Sequence, residues 1–266
     1  MGEAGTTAVG RPAGRLHIGT SGWHYAHWRG VYYPQDLPPE AWLSYYAREF
    51  RSVELNNSFY RLPSRKSVNS WVAATPEGFV FAVKASRTIT HLKKLRHCEE
   101  PLARFLDVAS GLGSRLGPVL FQLPPRWHVN PQRLAEFLEL LPDRFRYVFE
   151  FRDPSWFCAE IYALLLRHGC AFCQFQWGEL VSPEWVTADF SYVRLHGPAG
   201  AYAGSYSPQA LRDWARKVVD WLGDGKEVFI FFDNDEQAYA VNNARLLNRL
   251  CLEMMGGSTR NRPEFS

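Results

Sequence analysis

No apolar run in this 266-residue chain approaches the 18 or so residues that a membrane-spanning helix needs. The opening MGEAGTTAVGRPAGR also lacks the apolar centre of a secretory signal. The expectation is a soluble, cytoplasmic protein with no membrane partner. Cysteine is sparse: Cys98, Cys158, Cys170, Cys173 and Cys251 are odd in number and scattered, which excludes a disulfide framework. Cys170 and Cys173 form a lone CxxC with no second pair to complete a metal site, and GCAFCQF reads as the entrance to a buried strand, so both are expected to pack in the core. There is no HxH, no HExxH, no lysine-rich tail and no long basic run. A net charge of +3 does not demand a nucleic-acid partner, so any preference for anions must be local. With 46% hydrophobic and 21% charged residues, disorder is excluded for the bulk of the chain.

What the chain does have is alternation. Short β-branched or aromatic runs occur at 16–23, 52–59, 79–86, 118–124, 146–152, 171–176, 191–197 and 227–234. Amphipathic segments fall between most of them, at about 40–50, 66–74, 99–112, 131–141, 156–168, 208–222 and 237–250. Only GELVSPEWVTAD, between the sixth and seventh runs, is too short for a full helix. Eight strands alternating with about seven helices predict an α/β chain folded as a (β/α)8 TIM barrel. The single domain is placed at 15–252, between loosely ordered tails at 1–14 and 253–266.

Period-two alternation puts one polar set on a common face of each strand, near its carboxyl end. The set is Gly19 and Ser21, Glu54 and Asn56, Lys84 and Ser86, Gln122, Glu150 and Arg152, Gln174 and Gln176, Arg194 and His196, and Asp233. Ionised groups cannot sit unpaired in an apolar layer. The interior charges, Glu54, Glu150 and Asp233 against Lys84, Arg152 and Arg194, must therefore pair with one another or face a cavity. Barrels of this kind build their sites at the carboxyl ends of the strands.

Three cations in the mouth favour an anionic ligand, since Arg152 and Arg194 can bind a phosphate or carboxylate bidentately and Lys84 adds a point charge. The Gly- and hydroxyl-rich segment HGPAGAYAGSYS at 196–207 follows the seventh strand, where barrels often bind phosphate through backbone N–H groups. Trp23, Tyr25, Trp28, Tyr32 and Tyr33 crowd the loop after the first strand, either as packed rings or as a stacking platform for a base or sugar. Phe59 with Tyr60, and Trp156 with Phe157, could extend it. Glu54, Glu150, His196 and Asp233 are also suitable ligands for a divalent metal, although the three cations compete for the same carboxylates.

The motifs GTSGWHYAHWRGVYYP, VELNNSFYRLPS, FVFAVKASRTITH, GPVLFQLPP, FEFRDPSWF, YVRLHGP with YAGSYS, and FIFFDND together resemble the YecE-like family, catalogued as domain of unknown function number seventy-two. The resemblance runs from about Ile18 to Leu250 and implies a TIM barrel without a settled reaction. Residues matching the family's motifs are Gly19, Ser21, Gly22, Trp23, Glu54, Asn56, Phe59, Tyr60, Lys84, Gln122, Pro124, Glu150, Arg152, Trp156, Arg194, His196, Gly197 and Asn234. The chain departs from the pattern at Asn57, where relatives usually carry serine or threonine, and at Asp233, where many have asparagine.

The expectation is a cofactor-free enzyme doing acid and base chemistry on a phosphate-bearing substrate. Glu54 and Glu150 would be the proton-transfer pair, His196 a proton shuttle, and Lys84, Arg152 and Arg194 the anion contacts. Ser21, Trp23, Asn56, Tyr60, Gln122, Trp156, Asp233 and Asn234 complete the expected ligand-binding set. The alternatives are a non-catalytic nucleotide or single-stranded nucleic-acid binder, and a metal-dependent hydrolase or isomerase.

Overall fold

All eight expected strands form in the computed structural model, which describes residues 14–200 and 202–258. They are β1 (Leu16–Thr20), β2 (Ser52–Leu55), β3 (Val80–Lys84), β4 (Leu116–Gln122), β5 (Tyr147–Glu150), β6 (Ala171–Trp177), β8 (Phe190–Leu195) and β9 (Glu227–Phe232); a two-residue strand, β7 (Leu180–Val181), is additional. Strand order is β1-β9-β8-β6-β5-β4-β3-β2, and these pairings are parallel. A single bridge between Ser21 and Glu54 joins β1 to β2 and closes the ring. Glycine is required at that seam, since a Cβ on Gly19 would lie 2.2 Å from the carbonyl oxygen of Ser52.

The outer shell holds α1 (Trp42–Tyr46), α2 (Asn57–Tyr60), α3 (Arg65–Ala74), α4 (Glu99–Ser110), α5 (Pro131–Leu138), α6 (Ala159–Arg167), α7 (Pro208–Gly223) and α8 (Tyr239–Ser258). Local chemistry sets several starts: Ser64, Asn130 and Ser207 accept from the backbone N–H three residues on, and Pro131 and Pro208 sit where no N–H is needed. α8 continues to Ser258, past the expected domain end at 252. Of the expected tails at 1–14 and 253–266, residues 1–13 and 259–266 lie outside the described residues.

The link between β6 and β8 has no helix; β7 folds back antiparallel on Gln176 and Trp177. This corrects the reading of β6. Gln174 faces outward and donates to the carbonyl of Trp185 at 3.2 Å, supplying a partner that a covering helix would have made unnecessary. Cys173 and Phe175 point inward instead, so the polar residues of this strand do not mark the interior face. Cys170 packs in the outer core and Cys173 in the inner one, so the CxxC is split between two faces of the barrel wall. Burial pushes both thiols up, Cys170 to about 12, as expected for core cysteines.

The lower interior is filled by Ala82, Leu120, Val148, Ala171, Cys173, Phe190, Tyr192, Phe229 and Phe231. Each large side chain there contributes about 1.5–3 kcal/mol of burial. Below this layer His17 stacks on Phe229 at 4.5 Å and contacts Glu227 at 2.6 Å, while Arg146 pairs with the other oxygen of Glu227. The amino-terminal end is therefore plugged, and interior polar chemistry is confined to the opposite mouth.

Candidate active site

Alternation continues past the last ladder bond of each strand, so Ser21, Asn56, Arg152, His196 and Asp233 reach the mouth from just beyond their strands. The centre is Arg194 on β8, 1% exposed. Its Nη2 donates to Glu54 at 2.7 Å and to Asp233 at 3.0 Å, its Nη1 donates to Glu150 at 2.8 Å, and its Nε donates to Glu54 at 3.0 Å. Glu54 also accepts from Ser21 Oγ and from the Tyr192 hydroxyl, each at 2.6 Å. Arg152 pairs through Nε with Glu150. Its Nη2 is 2.8 Å from His196 Nε2, and His196 Nδ1 is 2.9 Å from Asp233. Because a guanidinium can only donate, the Nε2 lone pair faces Arg152 and the ring hydrogen sits on Nδ1, donated to Asp233.

Burial alone would raise the Glu150 carboxyl, but Arg152 and Arg194 beside it override that and hold it well below the usual range. Asp233 is likewise held down by Arg194 and by its bond from His196 against the opposing effect of burial. These are ionised carboxylates paired with arginine, Glu150 by hydrogen bond from Arg194 and by ion-pair contact with Arg152, and Glu54 has its oxygens occupied by Ser21, Tyr192 and Arg194. The expected proton-transfer pair, Glu54 and Glu150, is thus committed to holding Arg194, which spends four of its five N–H donors on carboxylates and has Nη1 3.4 Å from His196 Nε2 as well. The same commitments leave no metal-ready set: among the described residues no group of three His, Cys, Asp or Glu side chains is arranged to hold an ion.

The groups around Lys84 present the opposite picture. Lys84 at the end of β3 is 9% exposed, yet among the described residues no carboxylate lies within ion-pair distance of Nζ. Its contact is the face of Phe59, with Nζ 4.4 Å from the ring centroid. The expectation that Lys84 shares the buried carboxylates is corrected: Arg194 already occupies them. Burial, and secondarily the Arg194 charge, push the Lys84 ammonium down from 10.5 to about 8, against the pull of Glu150, Asp233 and Glu54. On the neighbouring strand Gln122 is half-buried and has no side-chain partner among the described residues. Asn56 leaves a buried Oδ1 unpaired. Among the described residues Arg152 Nη1 forms no hydrogen bond, and its guanidinium carbon lies 4.9 and 4.6 Å from the ring centroids of Phe175 and Trp177. Half of the mouth is self-satisfied and the other half is not.

The backbone is unusual beside Lys84. A single turn of π-helix, Thr88–Leu92, follows β3, and Lys94, Leu95 and His97 all take positive φ. Such departures gather at functional sites. The turn sets His91 edge-on to Phe59 at 4.9 Å, with Nδ1 2.9 Å from Thr90 Oγ1; burial, then Lys84 and Arg87, lower its imidazole to about 4.

Other expected ligand contacts are built into the walls. Trp23 and Trp156 are 5% and 0% exposed. Trp28 is buried and donates to the Asp235 carbonyl at 2.8 Å, and Tyr33 donates to the Trp23 carbonyl. The aromatic loop is therefore a packed lid, and the stacking surface expected there is absent among the described residues. Tyr60, 74% exposed, remains available at the rim. Asn234 is buried and ties the Gly204 carbonyl to Asn243. In the Gly-rich loop the N–H groups of Gly197, Ala199, Tyr202 and Gly204 already have partners within the chain, which leaves fewer donors for phosphate than expected. The residues that sequence reasoning passed over are Tyr192, Phe175, Trp177 and His91. Alternation two residues before Arg194 identifies Tyr192; nothing in the sequence separates His91 from a loop histidine.

Comparison with known proteins bears on family and fold. Residues 17–264 match the family model described as a protein of unknown function, DUF72. The chain is 28% identical to the UPF0759 protein YunF of Bacillus subtilis, over 92% of this chain and 98% of that protein. It is 34% identical to the UPF0759 protein YecE of Escherichia coli over 145 residues, a match spanning half, 50%, of that relative's length. A DUF72 family protein of Thermotoga maritima superposes with a TM-score of 0.79 at 31% identity, covering 91% of this chain and 99% of that one. One from Enterococcus faecalis shares the fold, with a TM-score of 0.74 at 18% identity and coverage of 92% and 99%. A matching mouth-to-mouth motif set, a near-complete family match and these superpositions lead to one conclusion: the chain belongs to the DUF72 family of TIM-barrel proteins.

Proposed function

We propose that the protein is a cofactor-free enzyme acting on a phosphate-bearing substrate, with Lys84 as the group that exchanges the proton. One observation carries this reading: a nearly buried ammonium without a carboxylate partner, in a mouth where the other interior charges are paired. A lysine lowered toward neutrality is a usable base, whereas carboxylates locked to arginines are not. Glu54, Glu150 and Asp233 hold Arg194, His196 and Arg152 in place, and Arg152 Nη1 and Gln122 face the substrate. Inorganic phosphate is the first probe. Calorimetry should detect binding that weakens on Arg152→Met, and bound phosphate should raise the Lys84 titration, because a nearby anion favours the charged amine. Absence of phosphate binding together with an unmoved Lys84 titration overturns the reading.

A specific observation supports a second reading, in which the rim binds a nucleotide or single-stranded nucleic acid. Outside β2 and β3 two clefts of about 680 and 350 Å³ carry Arg61, Lys93 and Arg104, with exposed Tyr60 at their margin. Among the described residues those three cations have no acidic partner. Oligonucleotide binding should then fall steeply with salt, with a slope that shrinks on Arg61→Ala and Arg104→Ala. No binding to oligonucleotides at low salt removes it.

A further inference from the structure

From the seating of Lys84 we infer that this barrel forms an imine between Lys84 Nζ and the carbonyl carbon of a small phosphorylated aldehyde or ketone. The inference deepens the reading of Lys84 given above and rests on it.

Three features of the geometry point this way. First, Nζ is not held by an acid. A lysine kept for structure in a barrel interior is paired, as Arg152 and Arg194 are here, but among the described residues Lys84 Nζ has the Phe59 ring and no carboxylate, and the ring does not occupy the nitrogen lone pair. Second, its surroundings are those that activate an amine as a nucleophile: little exposure to water, and a second permanent cation, Arg194, across the mouth. Third, the unpartnered groups on the adjoining strands suit the rest of such a substrate. Arg152 Nη1, which forms no hydrogen bond among the described residues, suits the phosphate, and the half-buried Gln122 and the buried, unpaired Asn56 Oδ1 suit hydroxyl groups beside the carbonyl. Parallel pairing sets Lys84 beside Leu120, and Gln122, two residues further along β4, beside Glu150, so with Asn56 after β2 and Arg152 after β5 these groups lie on four adjacent strands of one sector.

The step balances without a cofactor. The unprotonated Nζ attacks the carbonyl carbon, a C–N bond forms, and the carbonyl oxygen takes up the proton that leaves nitrogen, giving a carbinolamine. A solvent proton then reaches the hydroxyl, the C–O bond breaks, water leaves, and the nitrogen lone pair completes the C=N bond of a cationic iminium. No oxidation or reduction occurs. The iminium draws electrons from the adjacent carbon, which makes a proton or a C–C bond there easier to break, and this is chemistry for which a barrel would keep a reactive amine. His91 is edge-on to the same Phe59 ring that Lys84 Nζ lies over.

The chain contains six lysines, Lys66, Lys84, Lys93, Lys94, Lys217 and Lys226, which makes the site of an adduct easy to map. The full-length protein is incubated with dihydroxyacetone phosphate near pH 7.5, reduced with borohydride, digested and analysed by mass spectrometry. The expected result is one equivalent of secondary amine on the Lys84 peptide, about tenfold above any other lysine, because an amine titrating near 8 is far less protonated there than an ordinary lysine. Lys84→Arg should abolish the adduct while the far-ultraviolet circular dichroism stays native. Labelling spread over the other five lysines in equal yield in wild type and Lys84→Arg overturns the imine. Dihydroxyacetone without the phosphate should label Lys84 at least several-fold less; equal labelling keeps the imine but removes Arg152 as a phosphate contact. The pH dependence of Lys84 acetylation separates the two proposals. A titration near 8 without any imine overturns this inference alone, and an ordinary lysine titration overturns it together with the reading on which it rests.

Discussion

Replacing Lys84 by methionine should make this protein more stable at neutral pH. Methionine keeps the unbranched stem that fills the end of β3 and removes the ammonium that burial disfavours. A lysine moved from 10.5 to about 8 carries a penalty of about 3 kcal/mol for its charged form in the folded state. Loss of the contact between Nζ and Phe59 offsets about 0.5–1 kcal/mol of the gain. A net gain of about 2 kcal/mol corresponds to a rise on the order of 5 °C in the thermal midpoint of a chain this size. The sign has a pH signature. Between about 8 and 10.5 the folded protein binds fewer protons at Lys84 than the unfolded chain does, so this residue's penalty shrinks as pH rises through that window. The advantage of Lys84→Met over wild type should be largest at pH 7 and below, fall by about half near pH 9.5, and vanish above about 10.5. Differential scanning fluorimetry of both proteins across this range reads the difference directly. A Lys84→Met protein that is less stable at pH 7, or one whose advantage does not change with pH, refutes the claim that the ammonium is unpaired.

Three further outcomes test the frame around Lys84. Arg194→Met leaves Glu54, Glu150 and Asp233 without their shared cation and should cost about 3–5 kcal/mol, seen as a collapse in soluble yield or in the chemical-denaturation midpoint. Glu227→Gln breaks the floor contacts with His17 and Arg146. Against the opposing effect of burial, those partners lower the Glu227 carboxyl from 4.5 to about 2, so its contribution is full above 4.5 and is lost as pH falls toward 2. The variant should lose about 1–3 kcal/mol at pH 7 and almost nothing near pH 2, with phosphate binding at the mouth unchanged. Gly197 sits at φ +111, where a Cβ would meet the Ala203 carbonyl oxygen at 2.3 Å. Gly197→Ala should displace His196 from Asp233 and lower the thermal midpoint, and an unchanged midpoint would show that the loop relaxes freely.

Most of the fold was legible because barrel strands repeat one device. A run such as FVFAVKAS alternates, and its outward residues, Phe81, Val83 and Ala85, join the outer core while Ala82 and Lys84 point inward. The predicted strand ends overran the ladder by a few residues, since the side-chain alternation of Asn56, Arg152 and His196 persists where the ladder bonds have stopped. β6 failed because polarity stands in for direction only when a helix covers the outside; with the helix missing, Gln174 served the connecting chain and Phe175 turned inward. The aromatic loop failed for a different reason. Composition reports ring number and not exposure: Trp23 is buried, Tyr33 donates to the Trp23 carbonyl, and Trp28 donates to the Asp235 carbonyl. The charges were placed on the correct faces, but their pairing was not readable. Glu54, Glu150 and Asp233 could have met any of three cations, and the choice is made across the barrel: β8 delivers Arg194 to all three and leaves Lys84, on β3, without one.

The most direct test of this account is the titration of Lys84 itself. With six lysines labelled at the side chain, nuclear magnetic resonance resolves each ammonium, and the Lys84→Met spectrum assigns the missing signal. The account predicts one lysine titrating near 8 in the free protein, absent from Lys84→Met and shifted upward by phosphate. Six lysines all titrating above about 10 would contradict it, since that is the behaviour of amines that are either solvated or paired with an acid.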